Sequence, residues 1–418
     1  MPLQVLSDYM KTIKFFTLGC KANQYDTQSM REYFAVRGLR EINNGRKADV
    51  YLINTCTVTH RSDAESLNLI RRAKRQNPGA KIIVTGCFTE LDRDRIKAVS
   101  RKVFIVRNRQ KQKFLSRGIS DFKGHTRAFL KIQDGCNNSC AYCKVPLVRG
   151  PSRSRQLSGI VPEAKRLVER GFKEVVLTGI CLGAYGHDLN PRMTLIDVIE
   201  ELEKINGLLR IRLSSIEARD VSGELIKKLA CSKKLCPHLH IPVQSGDDHI
   251  LRKMKRHYTR ADYLRLFKRL KSAVPGIAIS TDILVGFPAE TEENFQSTVT
   301  LIKKASPVRT HIFPYSEREG TPAAFYDGKI NPNVIAQRIA QIREIAKERS
   351  FSYKKAFLSK KIKVLIEERV KDAPRFWQGY SDNYIKVRVK SRANLKNRLV
   401  LVKFQRIAKG GDAQAVLV

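Results

Sequence analysis

Three cysteines, Cys136, Cys140 and Cys143, stand at the spacing C-x3-C-x2-C within the stretch DGCNNSCAYCKVP. Clustered thiolates bind soft metals such as zinc and iron. A structural zinc closes with four ligands, so a zinc reading needs a fourth, for which His125 and His187 are the candidates. An iron–sulfur cube gives a reason to stop at three: three irons are anchored and the last keeps an open position where a small molecule binds. A second set, Cys20, Cys56 and Cys87, is spread along the chain, each just past an apolar run: TIKFFTL, DVYLINT and KIIVTG. Cys181 follows another such run, and Cys231 and Cys236 form C-x4-C with His238 and His240 behind them. Cys181 reads as a small apolar filler, with a functional thiol as the alternative, and the C-x4-C pair as a helix end before a strand, with zinc as the alternative.

The elements that must position these thiols follow from hydrophobic periodicity. From residue 11 to about 117, short apolar strands alternate with helical stretches from Gln24 to Val36, from Asp63 to Gln76 and after Phe88, which predicts a doubly wound parallel sheet. Such sheets build sites where the chain leaves the strand C-termini, so three successive strands would bring Cys20, Cys56 and Cys87 to one edge. From Arg127 to about Arg343, six apolar runs alternate with helices such as 161–169 and 291–304, which suits a partial (β/α)6 barrel with chemistry at its strand C-terminal ends. Polar residues and glycines gather there: Thr178 and Gly179, Ser215 and Glu217, Gln244, and Gly286 after Val285. Beyond Lys361 the period shortens to alternating strands with turns, predicting a small antiparallel β-barrel. Three domains result, at 1–120, 121–350 and 351–418, with linkers expected around SRGISDFKGH and KERSFSYKK.

Charge points to the partner. Lys and Arg number 79 against 40 Asp and Glu in 418 residues, a formal net charge of +39, and such cation density gains affinity from a phosphate backbone by releasing counterions. Residues 351–418 carry 17 Lys and Arg against 5 Asp and Glu, a net of +12, interleaved with Trp377, Tyr380 and Tyr384. Cations beside aromatic rings are what a binder of looped RNA uses. No apolar run reaches the roughly 18 to 20 residues of a membrane span, and the start MPLQVLSDYMKTIKFF lacks a signal-peptide pattern. The expectation is therefore a cytoplasmic chain whose nine cysteines are free thiols or metal ligands.

C-x3-C-x2-C with Tyr142 before its last cysteine resembles the radical S-adenosylmethionine superfamily. LGCKANQYD, NTCTVT and TGC resemble the N-terminal domain of the methylthiotransferases within it, LKIQDGCNNSCAYCKVPLVRG, HIPVQSG, TDILVGFPAETEENF and FPYSEREGTPAA resemble their radical domain, and the tail is similar to their TRAM barrel. Among subfamilies, LGCKANQYD, NTCTVT and GYSDNYIKVRV look most like the MtaB type, which thiomethylates N6-threonylcarbamoyladenosine at position 37, beside the tRNA anticodon.

The resemblance implies two [4Fe-4S] clusters, one on Cys136, Cys140 and Cys143 and one on Cys20, Cys56 and Cys87, with S-adenosylmethionine at the open iron of the first. It implies cofactor contacts from Tyr142, Thr178, Gly179, Ser215, Glu217, Gln244, Val285 and Gly286, although strand-end polar groups also serve as plain turn and capping residues. The superfamily's Gly-Gly-Glu motif is present only as Thr178-Gly179-Ile180. Implied partners are the tRNA anticodon loop, an electron donor such as a flavodoxin or ferredoxin, and a sulfur source, with no membrane. The alternatives are the same chemistry on N6-isopentenyladenosine or on a ribosomal-protein aspartate, and a non-catalytic metal-binding RNA protein.

Overall fold

The computed structural model describes residues 10–43, 46–100, 102–408 and 410–418. The first nine residues, where the signal-peptide reading begins, lie outside the described residues. β1 (Thr12–Thr17), β2 (Arg40–Glu41), β3 (Val50–Thr55), β4 (Lys81–Gly86) and β5 (Val103–Val106) form an all-parallel sheet in the order β2-β1-β3-β4-β5. β3 is buried along its whole length. Successive side chains of a strand face opposite ways, so Tyr51 and Ile53 meet Leu67 and Ile70 of α2 (His60–Gln76). Val50 and Leu52 meet Met30 and Phe34 of α1 (Lys21–Ala35) on the other face. The order reverses between β1 and β3, which makes the gap beyond their C-termini the topological switch point. Cys20 and Cys56 stand there.

β6 (Arg127–Lys131), β9 (Glu174–Thr178) and β10 (Arg210–Leu213) form one parallel sheet; β11 (His238–His240), β12 (Ala278–Val285) and β13 (Arg309–Pro314) form another. The bridges Ile211–Leu235 and Ser215–His240 join them. The result is a six-stranded partial barrel with no β6–β13 pairing among the described residues. Between its first strands, the two-residue pieces β7 (Gln133–Asp134) and β8 (Arg153–Ser154) pair across the base of the cysteine loop. Most of the barrel's helices start on side-chain caps, with reciprocal capping boxes at Thr194/Asp197, Thr259/Asp262 and Thr291/Asn294, each satisfying two orphan backbone groups. α1 belongs to both halves: Met30 and Phe34 face the first sheet, while Tyr25 enters the barrel core and donates to Glu163 at 2.8 Å.

β14 (Lys361–Val370), β15 (Ala373–Ser381), β16 (Lys386–Lys390), β17 (Leu399–Ile407) and β18 (Ala413–Leu417) close into a barrel. The expected antiparallel pairing holds for every neighbouring pair but one, since β16 and β18 run parallel. A ring of five strands cannot alternate direction all the way round, so one parallel pair is the consequence of closure. The linker expected at KERSFSYKK is instead the end of a 24-residue helix, Pro332–Lys355. After its first-turn proline that segment holds no glycine or proline to stop it. No helix of the described residues is long and apolar enough to cross a membrane.

Candidate functional site

The strand ends of the first sheet deliver three thiols. Cys20 caps α1 and is exposed; Cys56 and Cys87 are buried. The loops after β1 and β3 meet closely enough that a Cβ on Gly19, at φ +90°, would lie 2.9 Å from the Cys56 Sγ, so this turn requires glycine on both counts. The Asn23 amide ties the same loops together, donating to Leu18 O at 2.8 Å and Thr55 O at 2.9 Å. Burial pushes the Cys56 and Cys87 thiols up; at Cys87 the Arg149 charge works the other way. A bound metal cation would favour thiolate at both.

The second triplet lies on a loop that leaves β7 and returns through β8. Gly135, at φ +75°, admits no side chain, since a Cβ there would lie 2.0 Å from Pro151 O. Each sulfur receives a donor: Asn138 N–H to Cys136 Sγ at 3.4 Å, Val145 N–H to Cys143 Sγ at 3.5 Å, and Arg256 Nη1 to Cys140 Sγ at 3.3 Å. Glu217 holds that guanidinium through both carboxylate oxygens, and the Tyr258 hydroxyl accepts from its Nε at 3.0 Å. The neighbouring Cys181 thiol lowers Cys136 to about 7, while burial pushes Cys143 to about 12. Donors aimed at sulfur suit thiolate ligation of an iron–sulfur cluster. A tetrahedral zinc, with Zn–S near 2.3 Å, would draw its thiolates to within about 4 Å of one another. Neither triplet, with or without His125 or His187, places three ligand atoms within 4.8 Å among the described residues.

The two triplets are wired to each other. Arg149, at the end of helix Val145–Arg149 that follows Cys143, donates to Asp134 at 2.7 Å and to Asn23 at 2.6 Å. Asp26 on α1 is fully buried, 2.7 Å from Lys111, in contact with Lys131 and 3.9 Å from Arg149. Burial works to raise the Asp26 carboxyl, yet these three cations hold it below the usual carboxylate range. A further buried pair, Arg318 to Asp63 at 2.6 Å with Thr57 at 2.9 Å, fastens the loop after β13 to the loop carrying Cys56.

Between the halves lies a chamber of 480 Å³. Cys20 and Lys21 enter it from the first sheet, Thr178, Gly179 and Ser215 from the barrel strand ends, and Tyr384 from the C-terminal barrel. Tyr384 sits at φ +64°, its ring 4.7 Å from His238 and 4.5 Å from the Arg212 guanidinium. A non-glycine residue at positive φ is a strained arrangement found at functional sites. His240, Asp282 and His311 bring ligand atoms within 4.8 Å of one another on the chamber wall. The neighbouring Lys21, Arg212 and Arg309 oppose a cation there, and His240 Nε2 lies 3.1 Å from Asp282.

Of the cofactor contacts expected from sequence, Thr178, Gly179 and Ser215 share the chamber; Tyr142, Glu217, Gln244, Val285 and Gly286 do not line it. Glu217 is engaged by Arg256. Gln244, at φ +70°, spends its backbone on Asp282 and Leu284, and Gly286 N–H donates to Glu290 at 2.8 Å. Tyr142 packs with Phe287 and Met254. Cys181 is no apolar filler: it lies against Asn138 and Asp220, beside Cys136. Cys231 is exposed and Cys236 buried, and neither belongs to a metal-spaced group among the described residues. Trp377, expected to stack on bases, is instead barrel core at 4% exposure, because its strand position faces inward. Sequence reasoning passed over Lys21, Asp26, Arg149, Arg256 and Arg309, whose roles depend on contacts between distant segments.

Residues 12–107 match the model of the uncharacterized protein family UPF0004, and residues 130–302 that of the radical SAM superfamily. The chain is 37% identical over 94% of its length to threonylcarbamoyladenosine tRNA methylthiotransferase MtaB of Bacillus subtilis, of which it covers 94%. It is 33% identical over 84% of its length to tRNA-2-methylthio-N(6)-dimethylallyladenosine synthase of Clostridium botulinum, covering 85% of that protein. Among solved structures, the radical S-adenosylmethionine methyltransferase TsrM from Kitasatospora setae, with cobalamin and a [4Fe-4S] cluster bound, superposes at a TM-score of 0.55. That match spans 75% of this chain and 77% of TsrM at 13% identity, a likeness of fold.

Proposed function

Because the chain belongs to the radical S-adenosylmethionine methylthiotransferase family, we propose that it adds a 2-methylthio group to N6-threonylcarbamoyladenosine at position 37 of tRNA. The observation that carries this reading is the single chamber into which both Cys20 and the barrel strand ends open. The C2–H of adenine is not acidic and offers no leaving group, so acid–base catalysis has no purchase on it. When bound, a [4Fe-4S] cluster on Cys136, Cys140 and Cys143 with S-adenosylmethionine supplies one-electron chemistry, and a second cluster on Cys20, Cys56 and Cys87 supplies sulfur.

The chain's own residues hold and orient. Arg256, fixed by Glu217, keeps a charged donor on Cys140. Arg149 sets the distance between the triplets by bonding Asn23 on one side and Asp134 on the other. Thr178, Gly179 and Ser215 form the barrel-side wall of the chamber and would hold the cofactor there, with Tyr142, Gln244, Val285 and Gly286 behind it. The target base leaves its stack to enter the chamber, which costs least in a loop. Phosphate contacts from the basic surface supply salt-dependent affinity.

In this reading residues 1–120 hold the sulfur-bearing cluster, 121–350 the radical machinery, and 351–418 help grip tRNA. A cytoplasmic setting, a flavodoxin- or ferredoxin-type electron donor and a sulfur source complete it. The test is nucleoside mass spectrometry on tRNA from a host lacking its own methylthiotransferases, expressing this chain or its Cys140→Ala variant. The 2-methylthio derivative of threonylcarbamoyladenosine is expected with the first and absent with the second. Methylthiolation of isopentenyladenosine instead, or of neither nucleoside by iron-loaded protein, would overturn the assignment.

A further inference from the structure

The chamber carries more positive charge than its own residues neutralise. Its one carboxylate, Asp282, is taken by His240 at 3.1 Å. Arg212 is taken too, by Glu174 at 2.7 Å and by the carbonyl oxygens of Asp382 and Ser381. His238 bonds Ser280 at 2.9 Å. Lys21 and Arg309 are different: neither side chain has a hydrogen-bond or ion-pair partner among the described residues. Both border the chamber.

Lys21 is half-buried and Arg309 exposed at the chamber rim, and neither meets an anion there. Lys21 opens α1, a 15-residue helix, where unpaired N–H groups and the helix dipole already concentrate positive charge. A lysine is the wrong residue for that end of a helix unless something negative faces it. Arg309 starts β13 on the open side of the barrel, on the same strand face as His311 and Phe313, since alternate residues share a face. Burial, with Arg309 foremost among the neighbouring charges, pushes His311 down to about 4 although Asp282 works the other way.

We propose that Lys21 and Arg309 form a carboxylate-binding subsite that takes the threonyl carboxylate of N6-threonylcarbamoyladenosine and so excludes bases with an apolar N6 substituent. This rests on the substrate reading above and deepens it. Selectivity follows from an asymmetry: a site built around polar groups strongly rejects a ligand that leaves them unpaired, and an isopentenyl group would cover Lys21 without compensating it. A guanidinium matches a carboxylate with two parallel donors, and the Lys21 ammonium, which borders the same chamber, adds a point charge. A tRNA phosphate is the other source of an anion, and it is common to every anticodon loop whatever its base.

The test is fluorescence anisotropy with cluster-reconstituted protein, without S-adenosylmethionine, on three anticodon stem-loops of one sequence. These carry adenosine, isopentenyladenosine or threonylcarbamoyladenosine at position 37. Wild type is expected to bind the threonylcarbamoyl loop at least about tenfold tighter than the adenosine loop. Arg309→Gln and Lys21→Met should each cut that ratio by about tenfold and leave adenosine-loop affinity within about twofold, while Arg309→Lys retains part of the preference. Equal losses on all three loops would assign the cations to phosphate and overturn the proposal, as would an unchanged ratio. Arg309 is exposed, so R309Q keeps the fold and decides the matter even if K21M, beside Cys20, loses iron. If the wild type thiomethylates threonylcarbamoyladenosine in cells while R309Q leaves the ratio intact, the subsite fails and the substrate stands. If the wild type thiomethylates isopentenyladenosine, both fail.

Discussion

Asp26→Asn removes a charge from a site that has no access to water. The Asp26 carboxylate is 0% exposed and Lys111, its partner at 2.7 Å, is 2% exposed. At an effective dielectric near 20, attraction at the Lys111 spacing is roughly 6 kcal/mol and at the Arg149 spacing roughly 4; desolvation offsets most of this. What remains when one partner is deleted is about 3–5 kcal/mol, because a buried charge is left uncompensated. The structure says which charge that is. Lys131 and Arg149 keep Asp134, at 3.0 and 2.7 Å, whereas Lys111 has no other acidic partner within 4 Å among the described residues. For a unit of about 100 residues with an m-value near 2 kcal/mol/M, D26N should lower the urea midpoint of the N-terminal sheet by about 2 M, read by hydrogen exchange of β3 amides under anaerobic conditions. Adding Lys111→Met removes the stranded ammonium and should recover more than half of the loss, a coupling of about 2 kcal/mol or more between neighbours. A D26N cost below about 1 kcal/mol, or no recovery in the double variant, would refute the claim that Asp26 serves as the anion for Lys111.

Arg318→Ala strands Asp63 and should destabilise the junction between the loop after β13 and the Cys56 loop by about 3–5 kcal/mol, visible as faster proteolysis near residue 57 and fewer irons per chain after reconstitution. Trp377, the only tryptophan, lies in the C-terminal barrel core, so its fluorescence should report unfolding of that barrel, and Trp377→Ala should cost about 3–5 kcal/mol while Trp377→Phe costs less. Burial lowers His238 well below its ordinary value and His311 to about 4. The unfolded chain gains these protons near pH 6.5 and the folded chain does not. Stability tied to His311 is therefore complete above pH 6.5 and lost between about 6.5 and 4, and His311→Gln should flatten the midpoint against pH in that window.

The alternation of apolar strands and helices carried both α/β units, because burial of parallel strands writes itself as continuous apolar runs such as DVYLINT. Boundaries slipped where signals are local and subtle: α1 begins at Lys21 rather than Gln24, since Cys20 gives no side-chain capping bond to mark the start. The helix to Lys355 hid behind a polar composition that resembles a linker. The two cysteine triplets stood out as residue type at spacing. The charges that surround them did not, because Asp26, Lys111, Lys131 and Arg149 come from segments up to 123 residues apart in this 418-residue sequence, and nothing in a linear pattern says that they meet. Trp377 and Tyr384 show the same limit in reverse: composition makes both look like RNA-facing aromatics, but strand facing sends Trp377 to the core, and the turn between β15 and β16, with Tyr384 at φ +64°, sends Tyr384 to the chamber.

The most direct measurement takes purified, anaerobically reconstituted protein, a reductant, S-adenosylmethionine and a threonylcarbamoyladenosine stem-loop, and compares the wild type with a chain in which Cys20, Cys56 and Cys87 are all alanine. The account predicts that both consume S-adenosylmethionine and that only the wild type yields the 2-methylthio nucleoside. Product from the triple variant, or none from a wild-type chain carrying both clusters, would contradict it.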